Sequence, residues 1–217
     1  MSADEAPREQ LAALRREYGD RGLDLPDLTE EPLDLFRRWL DDASVLHESN
    51  AMVVASVSGD GRPSARMVLL KGLDERGFVF FTNYSSRKGS ELDARPDVAL
   101  LFPWHDLQRQ VRVEGKASRV PKEESQAYFS SRPRGSQIGA WASPQSRVVT
   151  SREALDSAYD AVEARFTKGD VPLPPYWGGY RVEPRTIEFW QGRKGRMHDR
   201  LVYHRDDGSW IVERLAP

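Results

Sequence analysis

The sequence predicts an α+β fold that is mainly β, a small antiparallel barrel with peripheral helices. Two observations carry that reading. From Ala51 onward, apolar residues recur in short runs of strand period joined by brief turns, which makes neighbouring runs antiparallel. Several runs are apolar on both sides of the alternation, so their sheet is expected to be buried on both faces or closed on itself. Helical patterns with their own start and stop signals interrupt the strands. At 217 residues the chain suits one structural domain. We divide it into an N-terminal helical arm over 1–48 and a barrel over 49–217 that includes the C-terminal strands.

In chain order, a first helix is predicted over Glu5–Tyr18, with Leu11, Leu14 and Tyr18 on one face and Gly19 as its stop. The linker Gly22–Leu28, with its proline and polar residues, makes that helix a mobile arm. A second helix starts after Thr29, where Pro32 is tolerated in the first turn and Phe36, Trp39 and Leu40 form the apolar stripe. Strands follow at Ala51–Val57, Ser64–Lys71 and Phe78–Thr82, joined by a Ser58-Gly59-Asp60-Gly61 turn and a turn at Gly77. A short helix from about Ser86 to Ala94 ends at Pro96. Strands Val98–Pro103 and Gln108–Val120 flank a Trp104-His105-Asp106 corner. Pro121 opens a helix to about Ser131, which the loop Arg132–Ser136 ends. Thr150 and Glu153 form a capping box for a helix carrying Leu155, Tyr159, Val162 and Phe166 on one face, closed by Gly169. After Pro172, Pro174 and Pro175 come strands Tyr180–Val182, Thr186–Gln191, Leu201–His204 and Trp210–Leu215, the last two joined through Asp206-Asp207-Gly208.

Composition narrows the chemistry. Apolar residues are 39% and charged ones 30%, with no apolar run of membrane-span length, which argues against both a membrane protein and a disordered one. The N-terminus is acidic and lacks a hydrophobic segment, so the cytoplasm is the expected compartment. There is no cysteine, which removes disulfides, thiolate metal sites and cysteine nucleophiles. The four histidines have no zinc-site spacing, and no metal is expected. No GxSxG, GxxxxGK[ST] or GxGxxG motif is present, which leaves triad hydrolysis, P-loop chemistry and a Rossmann domain unsupported. The net charge of −2 is uneven, since residues 1–48 carry thirteen acids and six bases and the remainder is net positive. Those cations are scattered singly among apolar strands, unlike a nucleic-acid footprint.

Three basic segments stand at the ends of strand-like runs: Arg66–Lys71, Ser85–Lys88 and Trp190–Arg200. Together they suggest one anion site, because arginine forks onto phosphate and lysine adds a point charge. Arg87-Lys88 opens a helix, where backbone N–H groups and the dipole favour a phosphate. Gln110 is a polar amide in an apolar strand, able to edge-bind a heterocycle or to face solvent. Trp190 can stack on a flat ligand or serve as core. His198 beside Asp199 reads as a polarised acid or base, or as a surface turn. Arg196 and His198, two apart on a strand or turn, can point to the same side. Tyr128, Arg132 and Ser136 recur at fourth-residue spacing around a helix end, which suits a second phosphate.

The motifs taken together resemble the pyridoxamine 5′-phosphate oxidase family of flavin enzymes. The resemblance runs through Arg15-Arg16-Glu17-Tyr18, RMVLLK at Arg66–Lys71, SRK at Ser86–Lys88, LLFPWH at Leu100–His105 and RQV at Arg109–Val111. It continues through YFSSRPRGSQIGAWAS at Tyr128–Ser143, Gln145-Ser146, PLPPYWGGYRV at Pro172–Val182, IEFWQG, RMHDR and Arg214–Pro217. Two departures are Phe81, where the family often has tyrosine, and Met197, where leucine is usual; the second conserves volume.

The resemblance implies an FMN-binding split β-barrel working as a homodimer with two flavin sites at the subunit interface. FMN binding would fall to Arg66, Met67, Val68, Leu69, Leu70, Lys71, Phe81, Thr82, Arg87, Lys88, Gln110, Gln145, Ser146, Trp190 and Arg200. Lys71, Tyr128, Arg132 and Ser136 would hold the substrate phosphate. Arg196, Met197 and His198 would lie by the pyridine ring, with Arg196 and His198 as the catalytic pair, and Arg15, Arg16, Glu17 and Tyr18 would form a flap. The implied reaction oxidises pyridoxamine 5′-phosphate or pyridoxine 5′-phosphate to pyridoxal 5′-phosphate with O₂ as acceptor. Arg200 would stabilise charge at the flavin pyrimidine edge. The rival is a split-barrel oxidase of another ring, such as a phenazine precursor, which would lack the substrate-phosphate set.

Overall fold

The computed structural model describes residues 13, 14 and 17–217. The expected first helix falls mostly on residues outside that range, and Glu17 and Tyr18 are not helical. The expected linker is anchored: Leu23 is buried, and a short 3₁₀ turn at Leu25–Asp27 is capped by Asp24. Helix α1 (Pro32–Asp42) then buries Leu33, Leu35, Phe36 and Trp39.

Strands β1 (Ala51–Val57) and β2 (Pro63–Leu69) form a hairpin whose turn uses Gly61 at φ 88°. A short strand β3 (Gly72–Asp74), not foreseen from the sequence, pairs with β4 (Gly77–Asn83). Helix α2 (Arg87–Ala94) follows, with Ser86 as its N-cap. Strands β5 (Asp97–Trp104) and β6 (Arg109–Arg119) come next.

Helix α3 (Lys122–Ser131) is followed at once by a helix that the sequence reading missed, α4 (Arg134–Ala142). Two glycines and the absence of an apolar stripe hide α4, which is tied to the end of α3 by Gln137 donating to the carbonyls of Phe129 and Arg132. Helix α5 (Arg152–Arg165) is capped by Ser151 rather than Thr150, through the Ala154 N–H at 3.2 Å.

The C-terminal strands are β7 (Trp177–Gln191), β8 (Asp199–Asp206) and β9 (Ser209–Arg214). Where two strands were expected, β7 is continuous over 15 residues. Pro184 is accommodated because the β6 register shifts at Glu114/Gly115, leaving Arg185 without a ladder partner on β6. Gly115 is required there, since a Cβ would stand 2.1 Å from the Glu183 carbonyl oxygen.

The sheet runs β2-β1-β5-β6-β7-β4-β3, with β8 and β9 continuing from the second half of β7. The first and last members of that path, β2 and β3, are consecutive in the chain. No ladder joins them among the described residues, so the sheet is open at this seam and not closed on itself. Inside it, Phe36 makes edge contacts with Phe78 and Phe102 at 4.9 and 4.8 Å, and Trp39 with Phe189. Residues of 1–48 thus share one apolar core with the strands. A second cluster, Phe129, Ile138, Val171 and Trp177, secures α3 and α4. No helix among the described residues is long and apolar enough to cross a membrane.

Candidate active site

Between β2 and β4, beside the open seam, lies a cleft of about 290 Å³ lined by Met67, Val68, Leu69, Lys71, Phe81, Thr82, Lys88, Tyr128, Arg132, Gln145 and Trp177. The two basic strand ends therefore meet the end of α3, Gln145 and Trp177. Lys88 is nearly buried and donates to Thr82 Oγ1 and Gln145 Oε1, both at 3.0 Å. Burial, then the charge of Arg66, push its pKa down to about 8, against an upward pull from Glu91.

Arg132 caps the end of α3 with its guanidinium 4.7 Å over the Trp177 ring. Its Nη1 is buried without a hydrogen-bond partner among the described residues. A buried guanidinium nitrogen with no acceptor is costly, and an anion in the cleft would supply one. Tyr128 stacks on Phe81 at 4.0 Å, forming an apolar wall.

Other expected members stand elsewhere. Leu70 is core. Ser146, at φ 69°, does not line the cleft although its neighbour Gln145 does. Ser136 lies on α4, since α3 ends before Arg132, and it too is outside the lining. Arg66 is turned away from a bidentate phosphate grip. Its Nη1 donates to Val54 O at 3.2 Å and Ser56 Oγ at 2.5 Å, and its Nη2 donates to Ser64 Oγ and to Glu91 Oε2 at 3.1 Å. Arg87 meets the same carboxylate through Nε at 2.8 Å.

A second cleft, about 720 Å³, is lined by Ala13, Leu14, Glu17, Tyr18, His105, Asp106, Gln108, Arg109, Gln110 and Trp190. Gln110, Trp190 and Arg200 are direct ladder partners across β6, β7 and β8, which sets them in one row on one face. Arg200 is gripped by buried Glu188, Nε to Oε1 at 2.8 Å and Nη2 to Oε2 at 3.2 Å. Tyr18 lies edge-on to Trp190 and His198, with ring centroids 5.8 and 5.1 Å apart. Gly192 permits this, because a Cβ there would come within 2.6 Å of the Tyr18 ring. Arg15 and Arg16, also expected at the flap, lie outside the described residues.

The turn Arg193–His198 corrects two expectations. Lys194–Arg196 forms a 3₁₀ turn with Gly195 and Arg196 both at positive φ, so strand alternation does not govern where Arg196 and His198 point. Exposed Arg196 and Met197 immediately precede His198, and the Arg196 charge is felt at the imidazole. Asp199 does not polarise His198 through a hydrogen bond. Its carboxylate accepts from Leu23 N at 3.0 Å, Arg193 Nη1 at 3.3 Å and Arg214 Nη1 at 2.7 Å, fastening the N-terminal segment to this turn. His198 Nδ1 accepts from Arg193 N at 3.0 Å. The neutral ring therefore carries its proton on Nε2. Burial, then Arg196, lower its pKa against an opposing pull from Asp199, which favours the neutral ring.

The two clefts share no lining residue. Gly178, the ladder partner of Thr82, and Trp190 are about twelve residues apart on β7, roughly 40 Å of strand at ~3.3 Å per residue. Sequence reasoning missed both buried carboxylates, Glu91 and Glu188. The available signals were an acid four residues after Arg87 and an acid inside the apolar run Ile187–Trp190.

Two family models match this chain: one described as pyridoxamine 5′-phosphate oxidase over residues 42–166, the other as the pyridoxine 5′-phosphate oxidase C-terminal dimerisation region over 177–217. The chain belongs to the pyridoxamine 5′-phosphate oxidase family. Among its relatives, the pyridoxine/pyridoxamine 5′-phosphate oxidase of Rubrobacter xylanophilus is 56% identical over 98% of this chain and 99% of that one. The protein of the same name from Acaryochloris marina is 51% identical over the whole of both. Among solved structures, PhzG from Burkholderia lata, in complex with tetrahydrophenazine-1-carboxylic acid, superposes with a TM-score of 0.85 at 32% identity, covering 92% of this chain and 100% of that one. A pyridoxamine 5′-phosphate oxidase-related, FMN-binding protein from Nostoc punctiforme shares the fold at TM-score 0.70 and 17% identity, covering 85% of this chain and 96% of that one.

Proposed function

We propose that this chain oxidises pyridoxamine 5′-phosphate and pyridoxine 5′-phosphate to pyridoxal 5′-phosphate with FMN and O₂, releasing H₂O₂ and, from the amine, NH₃. The observation that carries the reading is the cleft that joins Lys71, Thr82, Lys88 and Arg132, with a buried Arg132 nitrogen awaiting an acceptor. The residues present fit FMN: Lys88, Thr82 and the start of α2 suit its phosphate, and the row Gln110, Trp190, Arg200 suits a flat heterocycle. When bound, FMN supplies the two-electron chemistry between substrate and O₂.

The chain's own groups bind and orient. Arg132, Lys71 and Tyr128 would hold the substrate phosphate. Arg196 and His198 would lie by the substrate ring, with His198 donating from Nε2 rather than removing a proton. Tyr18, seated on Trp190 and His198, would cover that end and exclude water. Arg200, oriented by Glu188, would set positive charge beside the flavin. The Burkholderia lata likeness favours a phenazine-type rival. The family's phosphate-binding positions Lys71, Tyr128 and Arg132, all in one cleft, support the B6 phosphate instead. Oxygen uptake by the flavin-loaded protein decides it: rapid turnover of pyridoxamine 5′-phosphate, and little of the dephosphorylated amine, is expected. Turnover of neither would overturn the reading.

One protomer keeps its two clefts too far apart along β7 for a single flavin mononucleotide, so each site takes one cleft from each of two chains. The dimerisation-region match over β7–β9 supports this, as do the exposed Met67, Met197 and Ile211. A dimer that persists on dilution in sedimentation is expected. Lys88→Ala and Arg196→Leu chains, each nearly inactive alone, should regain activity when co-expressed, because one site per heterodimer is then intact. Mixed chains as inactive as either parent would refute the shared site.

His198→Asn retains a donor and is expected to lower kcat/KM by less than about tenfold, whereas His198→Leu loses the donor and should cost about 10- to 100-fold. The pH profile of kcat/KM discriminates further. An acidic limb present in the parent and lost in His198→Asn would mean that neutral His198 acts as a base.

A further inference from the structure

A buried carboxylate on α2, close enough for its charge to be felt at Lys88, stands behind the proposed phosphate site, and its sign is wrong for electrostatic attraction. Glu91 lies one turn after Arg87 on α2, and its side chain is 5% exposed. Its Oε2 accepts from Ser56 Oγ and Ser64 Oγ, both at 2.6 Å, and from Arg66 Nη2 at 3.1 Å. Its Oε1 accepts from Arg87 Nε at 2.8 Å. Ser56 and Ser64 are ladder partners on β1 and β2, so this one carboxylate docks the first turns of α2 on the hairpin that leads into the cleft. Burial alone would raise its pKa, but the hydrogen bonds from Ser56, Ser64, Arg87 and Arg66 hold it down at about 2, and it is ionised throughout the working range.

The pattern of donors distinguishes the two arginines. All four N–H groups on the terminal nitrogens of Arg66 are spoken for by Val54, Ser56, Ser64 and Glu91. Arg87 gives Glu91 its Nε–H, and its side chain is otherwise largely exposed. A guanidinium held through Nε keeps its Nη1/Nη2 edge for another acceptor, an edge a phosphate accepts bidentately. We propose that Glu91 is a positioning residue for flavin phosphate binding, which fixes the guanidinium groups of Arg66 and Arg87 beside the phosphate. This rests on the FMN reading above.

The two physical effects of Glu91 predict opposite signs, which makes the proposal decidable. By Coulomb repulsion alone, Glu91→Gln removes an anion near the phosphate and should tighten FMN. By positioning, the glutamine amide sets a donor against either Arg87 Nε or the serine and Arg66 donors, and one fork is released. Apoprotein is titrated into FMN and, separately, into riboflavin, following the quenching of flavin fluorescence. For Glu91→Gln, FMN affinity is expected to fall roughly 10- to 100-fold, the size of a lost charge-assisted hydrogen bond, while riboflavin affinity stays within about twofold. Ser64→Ala, which removes one donor to Glu91 and leaves the charge, should weaken FMN in the same direction by a smaller factor. It keeps the test available if Glu91→Gln does not fold. Unchanged or tighter FMN binding in whichever variants fold, or an equal loss for riboflavin, overturns the proposal. A parent protein that binds neither flavin would instead sink the FMN reading itself.

Discussion

Arg132→Ala is expected to raise KM for pyridoxamine 5′-phosphate about 10- to 100-fold, with flavin content unchanged. The guanidinium sits over Trp177 at 4.7 Å, and Nη1 is buried without a partner among the described residues. In the free protein it is therefore an unsatisfied donor. The substrate phosphate would satisfy it, and a charge-assisted hydrogen bond of this kind contributes about 1.5–3 kcal/mol. Lysine should recover little, because an ammonium cannot lie flat on the indole and fork at once. Steady-state kinetics with phosphorylated and dephosphorylated amine separate the causes. An equal loss for both would show that Arg132 supports the end of α3 rather than the phosphate.

Lys88 controls the other large effect. Its pKa of about 8 in the free protein reflects burial first and Arg66 second, opposed by Glu91. Thr82 and Gln145 accept its hydrogen bonds, and Lys71, Tyr128 and Arg132 share the cleft. A bound phosphate dianion would hold the proton on Lys88, so binding takes up a proton once the free lysine has lost its own. The sign follows: FMN affinity should weaken as pH rises above about 8, by up to about tenfold per unit, and below about 6 as the phosphate itself protonates. Lys88→Ala should weaken FMN about 10- to 100-fold at neutral pH and abolish the alkaline limb. Fluorescence titration across pH measures both. An alkaline limb that survives the substitution would assign it to another group.

Much of the fold was legible because strand period and turn chemistry are local. The hairpin at Gly61, the capped start of α2 and the β8–β9 turn stand close to where the residues place them. Misses occurred where a neighbouring element overrode the local signal. Pro184 reads as a break, yet β7 runs through it because β6 shifts register at Gly115. Two glycines disguise α4, which the carbonyls at the end of α3 and the Phe129–Trp177 cluster hold in place. In the site, the basic residue types and the family resemblance pointed to segments that line the two clefts. They did not separate Lys88 and Arg132, which line the cleft, from Arg66, which is spent on Glu91.

By itself the sequence determined the mainly β class, the strands and turns, and a family whose chemistry needs cations and a flat-ligand platform. These properties depend on residue type and short spacing, which a chain displays before it folds. Tertiary structure decided that the sheet stays open at the β2–β3 seam, that the two clefts lie far apart on one protomer, and that Asp199 fastens the N-terminal segment instead of polarising His198. It also decided that Glu91 holds both Arg66, through Nη2, and Arg87, through Nε. The physical reason is common to all of these. A buried charge takes its partners from whatever strands and helices enclose it, and those lie tens of residues away along the chain.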